Sequence, residues 1–255
     1  MPAPEAERTR TLSDFADLLA GLGAGGFDFS VVGGLAVGAY GRLRGRSVLS
    51  RDLDIYADAE NLDRMLEWIA RHGGRVRKRP QPRSLPVAVA EWHGQEVNIL
   101  TESSGLPRPA DAIRASREFV LREHGGVRVL VADPFDLLRN KVRVGRDKDR
   151  PHIEVLCAFV EEEVVEAFRD EERPRDRIRP ARQYLDALGT TTLPASVAAR
   201  LVDLARLASD VRFLASVVPA REFFDAVLAR APSAAGDAEL REDLERIAAT
   251  REWAS

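Results

Sequence analysis

The strongest constraint on the fold is a change of sequence pattern near residue 151. Before that point, short stretches with strand character alternate with amphipathic helical stretches. Beyond it no convincing strand occurs, and the apolar residues recur at helical spacing. Alternating strands and helices predict a sheet with flanking helices, whereas purely helical stretches must pack against one another. We therefore predict an α+β fold with two domains, residues 1–150 and a helical domain over residues 151–255.

Length and composition exclude several classes of protein. The chain has 255 residues, which fits one large or two small domains. No segment approaches the ~20 apolar residues that span a bilayer, and the charged N-terminus lacks the apolar centre of a signal peptide. The single cysteine, Cys157, excludes an internal disulfide and a cysteine-based zinc site. These features predict a cytoplasmic protein without membrane contact.

Charge is distributed unevenly along the chain. The net charge is −3, yet residues 42–83 carry 11 basic and 6 acidic side chains, whereas residues 161–255 carry 14 basic and 19 acidic ones. A local positive excess favours an anionic ligand. Arginine supplies nearly all the basic residues, so a lysine is mildly informative, because the two cations differ in shape and hydration. Only three lysines occur: Lys78, Lys141 and Lys148.

Two glycines, Gly33 and Gly34, stand between a predicted strand that ends at Val32 and a predicted short helix. Glycines at such a place let backbone N–H groups approach a ligand, and the N-terminus of the following helix favours phosphate. A plain tight turn is the alternative interpretation of the pair.

Asp52 and Asp54 lie in the next predicted strand. Residues i and i+2 of a strand point to the same face, so the two carboxylates are neighbours. Like charges on a partly buried face repel unless a cation lies between them, and Mg²⁺ held by carboxylates and substrate phosphates meets that need. A solvated face of an edge strand is the alternative.

A third charged cluster follows a helix that is predicted to begin at Asp133 and Pro134. It includes two of the three lysines within eight residues. The alternative is a charged helix end followed by a polar turn. The members of this cluster are Lys141, Arg146, Asp147, Lys148 and Asp149.

Together, these three features resemble the nucleotidyltransferase fold of the DNA polymerase β superfamily. The stretch VVGGLAVGAYGRLRGRSVLSRDLDIY is similar to its signature, a Gly-Gly or Gly-Ser pair followed by an Asp-x-Asp strand. The stretch DPFDLLRNKVRVGRDKD is similar to the lysine helix and Arg-x-Lys-Asp segment of minimal bacterial members, including AbiEii-type toxins of type IV toxin–antitoxin systems. The resemblance covers residues 28–157 and implies a mixed sheet with flanking helices.

The activity that the resemblance implies is Mg²⁺-dependent transfer of a nucleoside monophosphate from a nucleoside triphosphate (NTP) to a hydroxyl, with release of pyrophosphate. One or two Mg²⁺ ions are implied, bound by the two aspartates. The implied catalytic residues are Asp52, Asp54, Lys141 and Asp149, with the lysine at the triphosphate. The implied nucleotide-binding residues are Gly33, Gly34, Arg46, Ser50, Arg51 and Lys148.

The sequence departs from the family pattern at the third carboxylate, which the family places on a neighbouring strand. Asn98 stands there, between Val97 and Ile99. An amide can bind a metal through its oxygen but brings no charge and cannot act as a base. Glu96 shares the face of Asn98, so we consider both as metal ligands. Three outcomes stay open: Glu96 substitutes, two carboxylates suffice, or the chain is an impaired module that binds a nucleotide or a partner.

The acceptor is also open at this stage. A toxin-like enzyme would modify the 3′ end of tRNA or another RNA and would have an antitoxin protein as partner. An antibiotic-modifying enzyme would act on a cationic small molecule such as an aminoglycoside, which the acidic C-terminal part favours. The basic segment 71–83 favours RNA, although a charged edge strand that resists aggregation explains it equally well.

Overall fold

The computed structural model describes residues 10–48, 50–81, 87–231 and 238–253. The N-terminal stretch used above to exclude a signal peptide, and Pro82 and Arg83 of the basic segment, lie outside these ranges. The chain divides into two compact units, Met1–Phe159 and Val160–Ser255.

The first unit is built on a seven-stranded mixed sheet. Its spatial order is β3-β4-β5-β2-β1-β7-β6. Strand β2 pairs in parallel with β5 and antiparallel with β1, while β1 pairs in parallel with β7. The strands are β1 Ser30–Val32, β2 Leu53–Tyr56, β3 Arg75–Lys78, β4 Val87–Trp92, β5 Gln95–Leu100, β6 Arg117–Leu121 and β7 Val127–Val131.

Helices flank this sheet, as the sequence pattern predicts. β1, α2, β2 and α5 lie where the sequence predicts them, although β2 begins at Leu53, one residue after Asp52. The helices are α1 Ala16–Ala24, α2 Gly33–Leu43, α3 Ala59–Arg71, α4 Pro109–Ala115, α5 Pro134–Val144 and α6 Arg150–Asp170.

The alternation of side chains along β2 separates the core from the polar face. Leu53 and Ile55 are fully buried, and Val97 and Ile99 of the neighbouring β5 are buried on the same side. Burying a side chain of this kind stabilises the fold by about 1.5–3 kcal/mol. Because successive strand residues point to opposite faces, the polar residues between them face the other side of the sheet.

The described residues of the second unit form helices and connecting turns. Arg177 and Asp210, both buried in this unit, form an ion pair, and the carboxylate of Asp210 also accepts the N–H groups of Arg206 and Leu207. None of the helices in the described ranges is long and apolar enough to cross a membrane. After α6 the helices are α7 Pro174–Leu188, α8 Ala195–Leu204, α9 Ala208–Val217, α10 Arg221–Ala229 and α11 Ala238–Thr250.

Candidate active site

A cavity of about 830 Å³ opens on the polar face of β2 and β5 in the first unit. It contains residues from each of the three clusters that the sequence singles out. Its lining comprises Gly34, Ser50, Arg51, Asp52, Asp54, Val87, Glu96, Asn98, Leu100, Lys141, Arg146, Lys148, Asp149 and His152.

The central contact of the cavity joins Asn98 to both aspartates. Asn98 on β5 lies directly opposite Asp54 on β2 in the parallel ladder. Its side-chain Nδ2 lies 3.0 Å from Asp52 Oδ2 and 3.0 Å from Asp54 Oδ1, and donates a hydrogen bond to each carboxylate. The period-2 pattern of two neighbouring strands therefore brings all three side chains together.

Burial and repulsion act strongly on Asp54. Burial raises the pKa of this carboxyl group, and the neighbouring charge of Asp52 raises it further, to about 6. The hydrogen bond from Asn98 and the positive charges of Lys141 and Arg146 act in the opposite direction on that pKa. The two-carboxylate face is thus short of positive charge, and a bound cation would relieve this deficit.

Gly33 lets the aspartates and the helix N-terminus approach each other closely. Its φ of +70° lies in the left-handed region, and a Cβ atom built on it would lie 1.8 Å from Asp54 Oδ2. A Cβ atom on Gly34 would lie 2.5 Å from the hydroxyl oxygen of Ser50. Any side chain at these positions would collide with Asp54 or Ser50. The two glycines are therefore required by the close packing of the site as well as by the turn.

Lys141 forms a buried ion pair with Asp149. The two side chains are 4% and 1% exposed, and Lys141 Nζ lies 3.1 Å from Asp149 Oδ1. Arg146 binds the same carboxylate, with Nε 2.7 Å from Asp149 Oδ2, and His152 Nδ1 lies 3.5 Å from Oδ1. Burial alone would raise the pKa of Asp149, but the hydrogen bonds and charges of Arg146 and Lys141 bring it below its usual value.

The chain reversal after α5 creates this pair. Gly145 ends the helix with a φ of +64°, and a short 3₁₀ turn over Asp147–Asp149 follows. Asp149 thereby returns to the side of Lys141, eight residues earlier in the chain. The cluster is a buried network around one carboxylate and not only a polar turn.

The other residues that the sequence implicates fall into two groups. Ser50, Arg51, Lys148 and Glu96 line the cavity, and Ser50 Oγ makes long contacts of 3.4 Å to the carbonyl oxygen and Oδ1 of Asp52. Arg46 is exposed and is not among the lining residues. Its placement therefore does not by itself support a nucleotide contact.

Glu96 occupies the rim of the site. It is exposed and lies opposite Glu91 of β4. Within the described ranges, no three His, Cys, Asp or Glu side chains are close enough to hold a metal ion together. The amide of Asn98, and not the carboxylate of Glu96, is thus the direct neighbour of both aspartates.

The donor set still fits Mg²⁺. This ion prefers oxygen ligands and is usually held by one or two protein carboxylates together with phosphate oxygens. Asp52 and Asp54 supply the carboxylates, and the shortage of positive charge around them is the electrostatic condition for binding a cation. We therefore take these two residues as the candidate ligands.

Four contributors to the cavity, Val87, Leu100, Arg146 and His152, were not assigned a role from the sequence. Arg146 is spaced three residues before Asp149, a separation that permits contact on a helical turn. Leu100 continues the face of residues 96 and 98 on β5, so the period of two already indicates it.

Two basic residues in and next to the edge strand β3 form ion pairs with neighbouring acids. Arg77 forms an ion pair with Glu91, and Arg79 forms one with Asp63. Paired charges attract a polynucleotide less than free ones do, and charged residues on an edge strand hinder pairing with other chains. These pairs agree with the edge-strand interpretation, while Arg75 and Lys78 of β3 are exposed.

A scan of known protein families finds no match for this chain, and a search of curated proteins finds none either. Among solved structures the chain is similar to the antibiotic-resistance factor ANT(2'')-Ia, with 16% identity over 68% of this chain and 92% of that one, and a TM-score of 0.44. It is also similar to the lincosamide antibiotic adenylyltransferase LnuA, with 14% identity over 62% and 98% of the chains and a TM-score of 0.42. A tRNA nucleotidyltransferase is 15% identical over 92% and 83%, with a TM-score of 0.27. Similarities this low support no conclusion about activity, and the function proposed below rests on the site itself.

Proposed function

We propose that this chain is a Mg²⁺-dependent nucleotidyltransferase of the DNA polymerase β superfamily that transfers a nucleoside monophosphate from an NTP to a hydroxyl group. The observation that carries the proposal is one cavity that unites Asp54 of β2 and Asp52, which directly precedes β2, with the buried Lys141. This arrangement suits a metal-bound triphosphate, because the two carboxylates can bind the metal ion and the lysine can bind the negatively charged phosphates.

In the proposed reaction, the acceptor oxygen bonds to the α-phosphorus. The bond from that phosphorus to the bridging oxygen breaks, pyrophosphate leaves, and the proton of the acceptor hydroxyl passes to solvent water. Mg²⁺, when bound by Asp52 and Asp54, would supply neutralisation of the charge that develops on the phosphate oxygens.

The chain's own residues would bind and orient the nucleotide. Gly33 and Gly34 lie at the N-terminus of α2, where backbone N–H groups favour phosphate. Lys141 would stabilise the triphosphate and the charge that builds on the leaving pyrophosphate. Asp149 holds Lys141 Nζ at 3.1 Å and so fixes the position of that charge.

For the acceptor, a small hydroxyl compound is favoured over RNA. The ion pairs of Arg77 and Arg79 leave β3 with less free positive charge than the sequence suggested. A cationic antibiotic remains the first acceptor to test, and the toxin-like alternative, with RNA as acceptor and an antitoxin as partner, is the second. Both reactions consume an NTP, which agrees with the expected cytoplasmic location.

A second candidate function is a binding module without turnover. The observation that favours it is the side-chain amide of Asn98, a neutral group that donates a hydrogen bond to each of the two carboxylates. Titration calorimetry with each NTP, with and without Mg²⁺, combined with a pyrophosphate-release assay, separates the two candidates. Nucleotide binding without pyrophosphate release on any acceptor would favour the module.

The decisive experiment incubates the protein with each labelled NTP and Mg²⁺ together with aminoglycosides, lincosamides and total cell RNA. We expect label on one acceptor class and none with the Asp54→Asn variant. The matched control is Asp58→Asn, because Asp58 precedes α3 and does not line the cavity. Labelling that persists in Asp54→Asn would contradict the proposal.

A further inference from the structure

Asn98 uses its whole donor capacity on the two aspartates. A side-chain amide has two N–H groups, and here each carboxylate lies 3.0 Å from the nitrogen. The opposite orientation of the amide would place its carbonyl oxygen against two negative charges, so electrostatics fixes the assignment of nitrogen and oxygen. Pairing with Asp54 on one side and Val89 on the other anchors the backbone of Asn98 within the sheet.

These hydrogen bonds provide, in neutral form, part of what a cation provides. Each N–H group places a partial positive charge against a carboxylate, and hydrogen bonds to charged groups are stronger than those between neutral groups. We propose that the Asn98 amide is a resident substitute for the metal ion, which stabilises the carboxylate pair in the metal-free protein. The inference rests on the proposed function and adds how metal binding at that site is regulated.

The amide and the ion compete for the same oxygen atoms. Asp52 and Asp54, which would hold Mg²⁺, each accept a hydrogen bond from the amide nitrogen of Asn98, so the ion and the amide would compete for these two carboxylates. A contact that exists only in the metal-free state lowers the apparent affinity for the metal. The protein therefore binds a free divalent ion weakly and binds it well only when a triphosphate contributes further oxygens.

The test measures Mn²⁺ binding without nucleotide or acceptor, by the electron paramagnetic resonance signal of the free ion, together with the metal-free melting temperature. Asn98→Ala removes the competing contact, so we expect a lower melting temperature and tighter Mn²⁺ binding. Asn98→Asp adds a third negative charge, which should tighten Mn²⁺ binding by roughly tenfold or more. The matched control is Asn61→Asp on α3, the same chemical change at a position that does not line the cavity.

The outcomes separate this inference from the proposed function. Unchanged or weaker Mn²⁺ binding by Asn98→Ala, with binding retained in the unaltered protein, overturns the inference and leaves the metal site in place. Absence of Mn²⁺ binding in both Asn98 variants overturns the inference together with the proposed metal site. Because Asn98→Ala adds no charge, it decides the question even if Asn98→Asp does not fold.

Discussion

Replacing Asp54 with asparagine should stabilise the metal-free protein at pH 8. Burial, followed by the charge of Asp52, raises the pKa of Asp54 to about 6. A carboxyl group whose folded-state pKa is raised contributes stability below its unfolded pKa and loses it as the pH rises through the folded value. The ionised Asp54 is therefore a cost of folding at neutral pH, and the asparagine variant does not carry it.

The size of the effect follows from the shift in the pKa of Asp54. A rise from 3.8 to about 6 corresponds to roughly 3 kcal/mol in the free energy of unfolding above pH 6. This value is an upper limit, because the hydrogen bond from Asn98 to a neutral amide oxygen is weaker than that to a carboxylate. The melting temperature should rise by roughly 5–10 °C at most.

The assay is urea unfolding in the presence of a chelator at several pH values between 4 and 8.5, for the unaltered protein and Asp54→Asn. The difference in unfolding free energy should be largest at pH 8 and should shrink towards zero near pH 4, where Asp54 is protonated in the folded protein. Asp58→Asn, which makes the same chemical change outside the cavity, serves as the control. If Asp54→Asn is no more stable than the unaltered protein at pH 8, the electrostatic reasoning about this site is refuted.

Three further predictions concern the rest of the cavity. Lys141→Ala leaves a buried carboxylate without one of its cations, so we expect a loss of roughly 3 kcal/mol of stability and weaker NTP binding by calorimetry. Lys141→Arg should restore NTP affinity only in part. Full rescue by arginine would show that the ammonium group is not required. Gly33→Ala should abolish Mn²⁺ binding, because the new Cβ atom collides with Asp54. Gly26→Ala is the control: Gly26 also has a positive φ but lies in open space, so Mn²⁺ binding should be preserved. Equal Mn²⁺ binding by both variants would contradict the close approach of Gly33 to Asp54. Glu96→Gln should leave nucleotide transfer nearly unchanged, as expected for an exposed rim residue, and loss of most activity would make Glu96 the third carboxylate.

The sequence predicted those helices and strands that are determined by residues close to one another in the chain. Asp133 was expected to cap α5, and its carboxylate does accept the N–H of Phe135 at 2.9 Å. Strand β6 was not predicted because its sequence REFVL does not alternate apolar and polar residues, although its side chains alternate between half-buried and exposed. The strand forms because it pairs antiparallel with β7 along its whole length. This pairing cannot be inferred from the residues of β6 alone.

The sequence also predicted those parts of the candidate site that depend on neighbouring residues, but not those that depend on contacts between distant segments. The period of two placed Asp52 beside Asp54 and Glu96 beside Asn98, but which strands are neighbours depends on pairing between distant segments. The engagement of Lys141 with Asp149 depends on the turn at Gly145, whose positive φ redirects the chain. Arg46 was implicated because it lies in the connector before the aspartates, and chain proximity alone did not bring it to the cavity.

The position of β1 inside the sheet, between β2 and β7, has a consequence for how the protein is made. Its neighbour β2 follows soon after it in the chain, but its other neighbour is β7, and Val31 pairs with Val131. During synthesis, β1 must wait with one edge open until the segment around residue 131 has left the ribosome, and such long-range pairing slows folding. The aspartates and Asn98 can assemble before that moment, whereas Lys141 and Asp149 emerge only after it. The order of synthesis therefore makes the carboxylates of the cavity and Asn98 available before the cations Lys141 and Arg146 that face them.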